Sequence, residues 1–184
     1  MMKVLFLDID GVLNCMCPAP IQDNDWIDLD EWRYGFNPDL VARLRYVIAN
    51  TDCRIVISSS WRHHRSYAPY QPDRNWRDVL AEKLRRPREE VFAGETPTND
   101  RGQRGLEIRQ WLDEHKGEVE AWCVVDDETV DIEPYLKSSH IVKTDMTVGL
   151  TKVDADRIIK KLNKGEERND EERRGSGSVG IQCR

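Results

Sequence analysis

The chain reads as an α/β protein: a mainly parallel sheet with helices on both faces and minimal insertions. Three observations predict this. Short apolar runs such as Val4-Leu5-Phe6-Leu7 and Ile55-Val56-Ile57 have the form of strands buried on both faces. Between these runs, apolar residues recur at helical spacing. Strands alternating with helices imply right-handed crossovers and therefore parallel pairing.

Each element follows from its residues. The first strand ends in Asp8-Ile9-Asp10-Gly11, where the glycine permits a sharp turn. Residues 14–36 are rich in Pro, Asp and Trp without a period and are expected to form a flap. Asn37-Pro38 is a cap and first-turn pair, after which Leu40, Val41, Leu44 and Ile48 line one helical face. Cys53-Arg54-Ile55-Val56-Ile57 is a second strand, running into Ser58-Ser59-Ser60-Trp61-Arg62. Residues 63–102 are expected as a small insertion, with loops over 63–75 and from 93. Its one short helix is marked by Trp76, Val79, Leu80 and Leu84 and closed by Arg85-Arg86-Pro87. Ile108, Trp111, Leu112 and His115 mark the next helix. Ala121-Trp122-Cys123-Val124-Val125 is a third strand, stopped by Asp126-Asp127, and His140-Ile141-Val142 a fourth. Ala155, Ile158, Ile159 and Leu162 give a last helix with Thr151 near its cap. Residues 1–163 are thus expected to be one domain, and the charged, Gly- and Ser-containing residues 164–184 a disordered tail.

The 34 acidic and 28 basic residues give a net charge of −6, which argues against a general cationic coat for nucleic acid. The charge is segregated, with arginines dense from Arg62 to Arg109 and acids gathered at Asp23, Asp25, Asp28, Asp30 and Glu31. Five cysteines without a signal peptide or a membrane-length apolar stretch point to a reducing, cytoplasmic setting with no membrane partner. Cys15 and Cys17 form a C-x-C with no second ligand pair nearby, so no metal is expected there.

Open α/β sheets bind ligands at the carboxyl ends of their strands, where this chain concentrates chemistry. Residues two apart in a strand point the same way, so Asp8 and Asp10 start on one side of the first strand end. With Asp126 they offer the hard oxygen ligands that suit Mg²⁺. Ser58 is the hydroxyl that directly follows the second apolar run and suits a phosphate oxygen, with Ser59 and Ser60 as loop-binding alternatives. Arg104 or Arg101 supplies a cation at a helix start, where free N–H groups also favour a phosphate. Asp127 is open between a supporting acid behind the metal ligands, a helix cap and a direct metal contact.

In this order the motifs resemble the haloacid dehalogenase (HAD) superfamily of phosphotransferases, across residues 3–163. Asp8-Ile9-Asp10-Gly11-Val12 is similar to its first motif, Ile55-Val56-Ile57-Ser58 to its second, Arg104 to its third, and Val124-Val125-Asp126-Asp127 to its fourth. The wording "LDIDGVLN", "VISSSWR", "RGLEIRQWL" and "VVDDE" further resembles the phosphatase-like domains of RNA-repair proteins that heal polynucleotide ends. The resemblance implies a Rossmann-like three-layer α/β/α sandwich and a Mg²⁺-dependent phosphomonoesterase. It implies Asp8 as nucleophile forming an aspartyl-phosphate, and Asp10 as general acid and base. Mg²⁺ would be held by Asp8, the Asp10 carbonyl and Asp126, while Ser58 and Arg104 bind the phosphate.

HAD enzymes for small substrates usually carry a large cap, and this chain has room only for a flap and a small insertion. An open site suits a nucleic-acid end, most plainly a 3′-phosphate, with Arg62, Arg65, Arg74, Arg77, Arg85, Arg86 and Arg88 tracking the backbone. Salt bridges to the abundant acids are the competing use of those arginines. One alternative is a 5′-nucleotidase or other small-molecule phosphatase, with Trp26 or Trp76 as the stacking wall. Another is a non-catalytic phosphate-binding module of the same fold.

Overall fold

The computed structural model describes residues 1–16, 35–64, 66–67, 71–99 and 102–175, with side chains in the last helix to residue 164. The elements in chain order are β1 (Met2–Leu7), α1 (Pro38–Thr51), β2 (Arg54–Ile57), β3 (Ser66–Tyr67), β4 (Gln71–Asn75) and α2 (Trp76–Leu84). They continue with α3 (Arg88–Val91), β5 (Phe92–Glu95), α4 (Arg104–Glu114), β6 (Val119–Asp126), β7 (Ile141–Lys143) and α5 (Lys152–Gly175). A single five-stranded sheet runs in the order β5-β2-β1-β6-β7, every pair parallel, and β3 and β4 form a separate antiparallel hairpin. The α/β/α sandwich is therefore present, with an all-parallel sheet.

The alternation of side chains along the strands divides the core in two. Leu5, Leu7, Ile55, Ile57, Cys123, Val125 and Val142 face α1, α2 and α5. Val4, Phe6, Val56 and Val124 face α4 through Ile108 and Trp111, together with Ile132 and Leu136. Because β1 is covered on both sides and paired on both edges, all of Val4–Leu7 is buried, as its unbroken apolar run predicts.

Caps form where the polar residues announce them. Asn37 Oδ1 accepts from the N–H groups of Asp39 and Leu40 at 3.0 and 3.4 Å ahead of α1. Thr151 and Asp154 cap α5 reciprocally: the Asp154 N–H donates to Thr151 Oγ1 at 3.1 Å, and the Thr151 N–H donates to Asp154 Oδ2 at 3.2 Å.

Beside a second short helix in the insertion (α3) and the run of α5 to Gly175 into residues expected as tail, two further segments differ from expectation. Phe92–Glu95, expected as loop from 93, is the edge strand β5. An edge strand is half solvated, so it needs no continuous apolar run, and Gly94 and Glu95 hid it. The stretch 63–75, expected as loop, contains the hairpin. Tyr67 is fully buried, accepts the Phe36 N–H at 2.7 Å and stacks on the Phe36 ring at 4.9 Å. Trp76 is also fully buried, its indole N–H shared between the carbonyls of Trp61 and His64, so it is core and no wall for a nucleobase. Trp26, Trp32, Cys17 and Arg65 lie outside the described residues, as do most of residues 14–36 and all of 176–184. No helix among the described residues is long and apolar enough to cross a membrane.

Candidate active site

Strand register brings three of the predicted residues into one row. Phe6 pairs with Val56 on one side and Val124 on the other. Two residues further on, the same parity falls on Asp8, Ser58 and Asp126, all three buried. The ladder reaches that level, since Asp8 N–H donates to Val125 O at 3.1 Å and Ser58 N–H to Leu7 O at 3.0 Å. Phe6, Val56 and Val124 face α4, so the row emerges where α4 begins, and α4 begins with Arg104.

Arg104 reaches into the row. Its Nη1 lies 3.2 Å from Asp8 Oδ2 and bonds Asp126 Oδ2 directly. Burial disfavours its charge, but the carboxylates of Asp8, Asp126 and Asp131 outweigh that and hold the guanidinium protonated. Its backbone N–H donates to Asp131 Oδ2 at 2.9 Å, and the Gly105 N–H to Asp131 O at 3.2 Å. The first-turn N–H groups of α4 expected to meet a phosphate are thus already engaged within the protein. What remains for an anion is the side chain. Arg101 lies outside the described residues.

The acids gather more closely than their spacing suggests. Carboxylate oxygens of Asp8, Asp126 and Asp127 all lie within 4.8 Å of one another, a set of hard donors of the kind a divalent cation takes. Burial raises the Asp8 carboxyl above its ordinary value, and the attraction of Arg104 offsets only part of this. Burial, with the neighbouring Asp8 charge, raises Asp126 to about 7. Asp127, half-buried, is also raised by desolvation. A cation held among the three would favour their ionised forms.

A sign follows for pH. Asp126 holds its proton in the fold from its ordinary 3.8 up to about 7, so metal-free protein binds more protons folded than unfolded in that window. Stability should then fall as pH rises through the window. The rise in Tm on adding Mg²⁺ is expected to be larger at about pH 8 than at about pH 5, because the ion binds the deprotonated set. Asp126→Asn should flatten that difference, and thermal shift at the two pH values checks it.

Gly11 explains how Asp127 fits. Its φ is +68°, and a Cβ built there would lie 2.4 Å from Asp127 Cγ. The loop therefore lies directly against the Asp127 carboxylate, and Thr144 Oγ1 donates to Gly11 O at 2.9 Å to hold it. Gly11→Ala adds about 1–2 kcal/mol of left-handed backbone strain and must displace Asp127. It is expected to weaken Mg²⁺ binding by at least about tenfold, read by calorimetric or thermal-shift titration.

Asp10 sits at the exposed rim. Asn14 Nδ2 donates to its Oδ1 at 2.7 Å and the Trp61 indole N–H to its Oδ2 at 3.0 Å. Asn14 also accepts the Gly11 N–H at 2.9 Å, so one side chain fixes both turn and acid. Ser58 Oγ is fully buried and without a hydrogen-bond partner among the described residues, whereas Ser59 bonds Asp8 and caps the turn at Ser60–His63 by accepting the Trp61 N–H at 3.3 Å. An unmet buried hydroxyl costs free energy unless a ligand meets it. That distinguishes Ser58 from its neighbours.

Asn14 and Trp61 were given no role by the sequence, which left Asp127 open among three uses and Ser59 as a loop-binding alternative to Ser58. Their signal was local: all four lie within the four motif strings. Five of the insertion arginines take the competing use, pairing with the protein's own acids. Arg62 is buried against Glu107 at 2.6 Å, Arg74 pairs with Glu82 at 2.6 Å, Arg77 with Glu95, Arg86 with Asp52 at 3.2 Å and Arg88 with Asp78 at 2.9 Å. These five neutralise the protein's own acids, Arg85 pairs with no carboxylate among the described residues, and Arg65 lies outside them.

A family model described as "HAD domain in Swiss Army Knife RNA repair proteins" matches residues 4–155 of this chain. No curated protein and no solved structure matches it.

Proposed function

The chain belongs to the family of HAD domains in Swiss Army Knife RNA repair proteins, and from that premise we propose that it is a Mg²⁺-dependent phosphomonoesterase for a nucleic-acid end, most plainly a 3′-phosphate. The observation that carries the chemistry is the row of Asp8, Ser58 and Asp126 with Arg104 across it.

Asp8 is the nucleophile. Its oxygen attacks phosphorus in line, forming an aspartyl-phosphate as the ester oxygen leaves. Asp10 delivers a proton to that oxygen and later takes one from the hydrolytic water. The donors on Asp10, Asn14 and Trp61, aim the carboxyl across the mouth of the site. Ser58 Oγ and the Arg104 guanidinium bind the equatorial phosphate oxygens, where transition-state charge spreads. Asp8, Asp126 and Asp127 would hold Mg²⁺, with the Asp10 carbonyl as a further oxygen donor. Bound there, the ion neutralises charge between a carboxylate and a phosphate dianion that otherwise repel. Arg104 would exchange its contact with Asp8 for the incoming phosphate, which carries the same kind of charge.

The substrate reading rests on the family and on the small size of the insertion. Its test is phosphate release, with Mg²⁺, from matched 3′-phosphorylated oligonucleotides, 5′-phosphorylated oligonucleotides and mononucleotides. Preferential release from a 3′ end supports the proposal. Release chiefly from mononucleotides turns the assignment to a nucleotidase, and release from none turns it to a phosphate-binding module.

A further inference from the structure

With five of the insertion arginines engaged in internal pairs, a polyanionic substrate calls for further cations elsewhere, in a protein of net charge −6. They occur along the opposite edge of the sheet. Among the described residues β7 pairs only with β6, as the edge strand of the sheet. Its last residue, Lys143, is exposed and stands in register with Asp126 of the site. Toward the other end of the same edge lies a cavity of about 320 Å³, lined by Trp122, Lys137, Ser139, His140, Lys161 and Lys164 among others.

Three features make this cavity suited to a nucleotide strand. Among the described residues, neither Lys137, Lys161 nor Lys164 lies within salt-bridge distance of a carboxylate, and Lys161 donates only to the Ser139 carbonyl. Glu120 is the one acid of the lining. Trp122 and His140 stack with centroids 3.9 Å apart and planes 12° from parallel, and His140 Nδ1 bonds Trp122 O at 3.0 Å, so the pair is a fixed, half-exposed aromatic platform. Lysines beside an aromatic platform offer phosphate contacts together with a surface for a base. A lysine on an edge strand also blocks unwanted strand pairing, and Lys143 alone would do that. Three more lysines around a cavity go beyond it.

We infer that the β7 edge, from Lys143 to the cavity of Lys137, Lys161 and Lys164, binds the body of a single-stranded RNA whose phosphorylated end lies at Asp8. Trp122 is four residues before Asp126 on β6, a separation of roughly 13 Å along the strand. The inference rests on the nucleic-acid reading of the site but is tested apart from it.

Two measurements on Lys137→Ala/Lys164→Ala separate the two claims. Neither lysine donates a hydrogen bond to a described residue, so the fold should be kept. The first is binding of a fluorescent eight-nucleotide RNA with a plain 3′-hydroxyl, at several salt concentrations. Wild-type protein should bind it, and the double variant should bind at least about fivefold more weakly, with the slope of log K against log salt reduced by about one to two. The second is release of phosphate from a 3′-phosphorylated eight-mer and a 3′-mononucleotide, where KM for the eight-mer should rise in the variant with kcat unchanged. Equal binding by both proteins, or no binding by wild type, overturns the track. RNA binding that depends on the lysines, without phosphate release from any RNA, keeps the track and overturns the end-phosphatase reading.

Discussion

Asp8→Asn is expected to abolish turnover, lowering kcat by about 10⁴-fold or more, as loss of a nucleophile does when the groups around it act as a unit. The fold should survive. Asp8 is buried and its carboxyl is raised above the ordinary value, so ionising it in place is unfavourable and the neutral amide removes that cost. Arg104 keeps its bond to Asp126 and the nearby charge of Asp131. Phosphate release measured beside Tm gives the test. Activity lost with Tm unchanged or raised places Asp8 in the chemistry, as nucleophile if Mg²⁺ still binds, whereas retained activity removes it from that role. An active Asp8→Asn protein would also undo the aspartyl-phosphate mechanism.

The largest effect on stability is expected at Glu107. Its carboxylate, 1 % exposed, receives Arg62 Nη2 at 2.6 Å and the Asn99 N–H at 3.1 Å. Arg62 also donates to Thr96 Oγ1 at 3.0 Å. The pair thus joins three segments: the turn after β2 that carries Trp61, the chain after β5, and the first turn of α4 that carries Arg104. Glu107→Leu leaves a buried guanidinium without its counter-charge, and a loss of about 3–5 kcal/mol is expected. Arg62→Leu/Glu107→Leu removes both charges and should cost clearly less than the single change. Urea denaturation of the three proteins measures this. A single variant as stable as wild type would mean that the pair carries little of the packing.

The aromatic residues divide along the same line between core and site. Trp76, Tyr67 and Phe36 form one packed group with Trp61 at its edge, the Phe36 and Trp61 rings lying 5.4 Å apart. Trp61 therefore has its ring in the core group and its N–H on Asp10. Its position one residue before Arg62 ties the rim acid to the buried ion pair. Loosening Glu107 should accordingly disturb Asp10 as well as stability.

The amino-acid sequence alone determined the strand ends and the chemistry placed on them. Uninterrupted apolar runs broken by Asp8, Ser58 and Asp126 are local patterns, and strand periodicity of two carries each pattern to one face without knowledge of the rest of the chain. A cation at the start of an amphipathic helix was legible in the same way, as Arg104 or Arg101, and of the two it is Arg104 that the described residues bring to Asp8 and Asp126. Only the tertiary structure decided which acids gather, because Asp127 joins the cluster through the close approach of the Gly11 loop, 116 positions away in a chain of 184. It also decided what each arginine does. Attraction between charges depends on distance in space, and nothing in a run of arginines says that Glu107, Glu82, Glu95, Asp52 and Asp78 will fold against them. The half-solvated strand β5 was hidden for a related reason: its place in the sheet comes from pairing with β2 and not from its own apolar content.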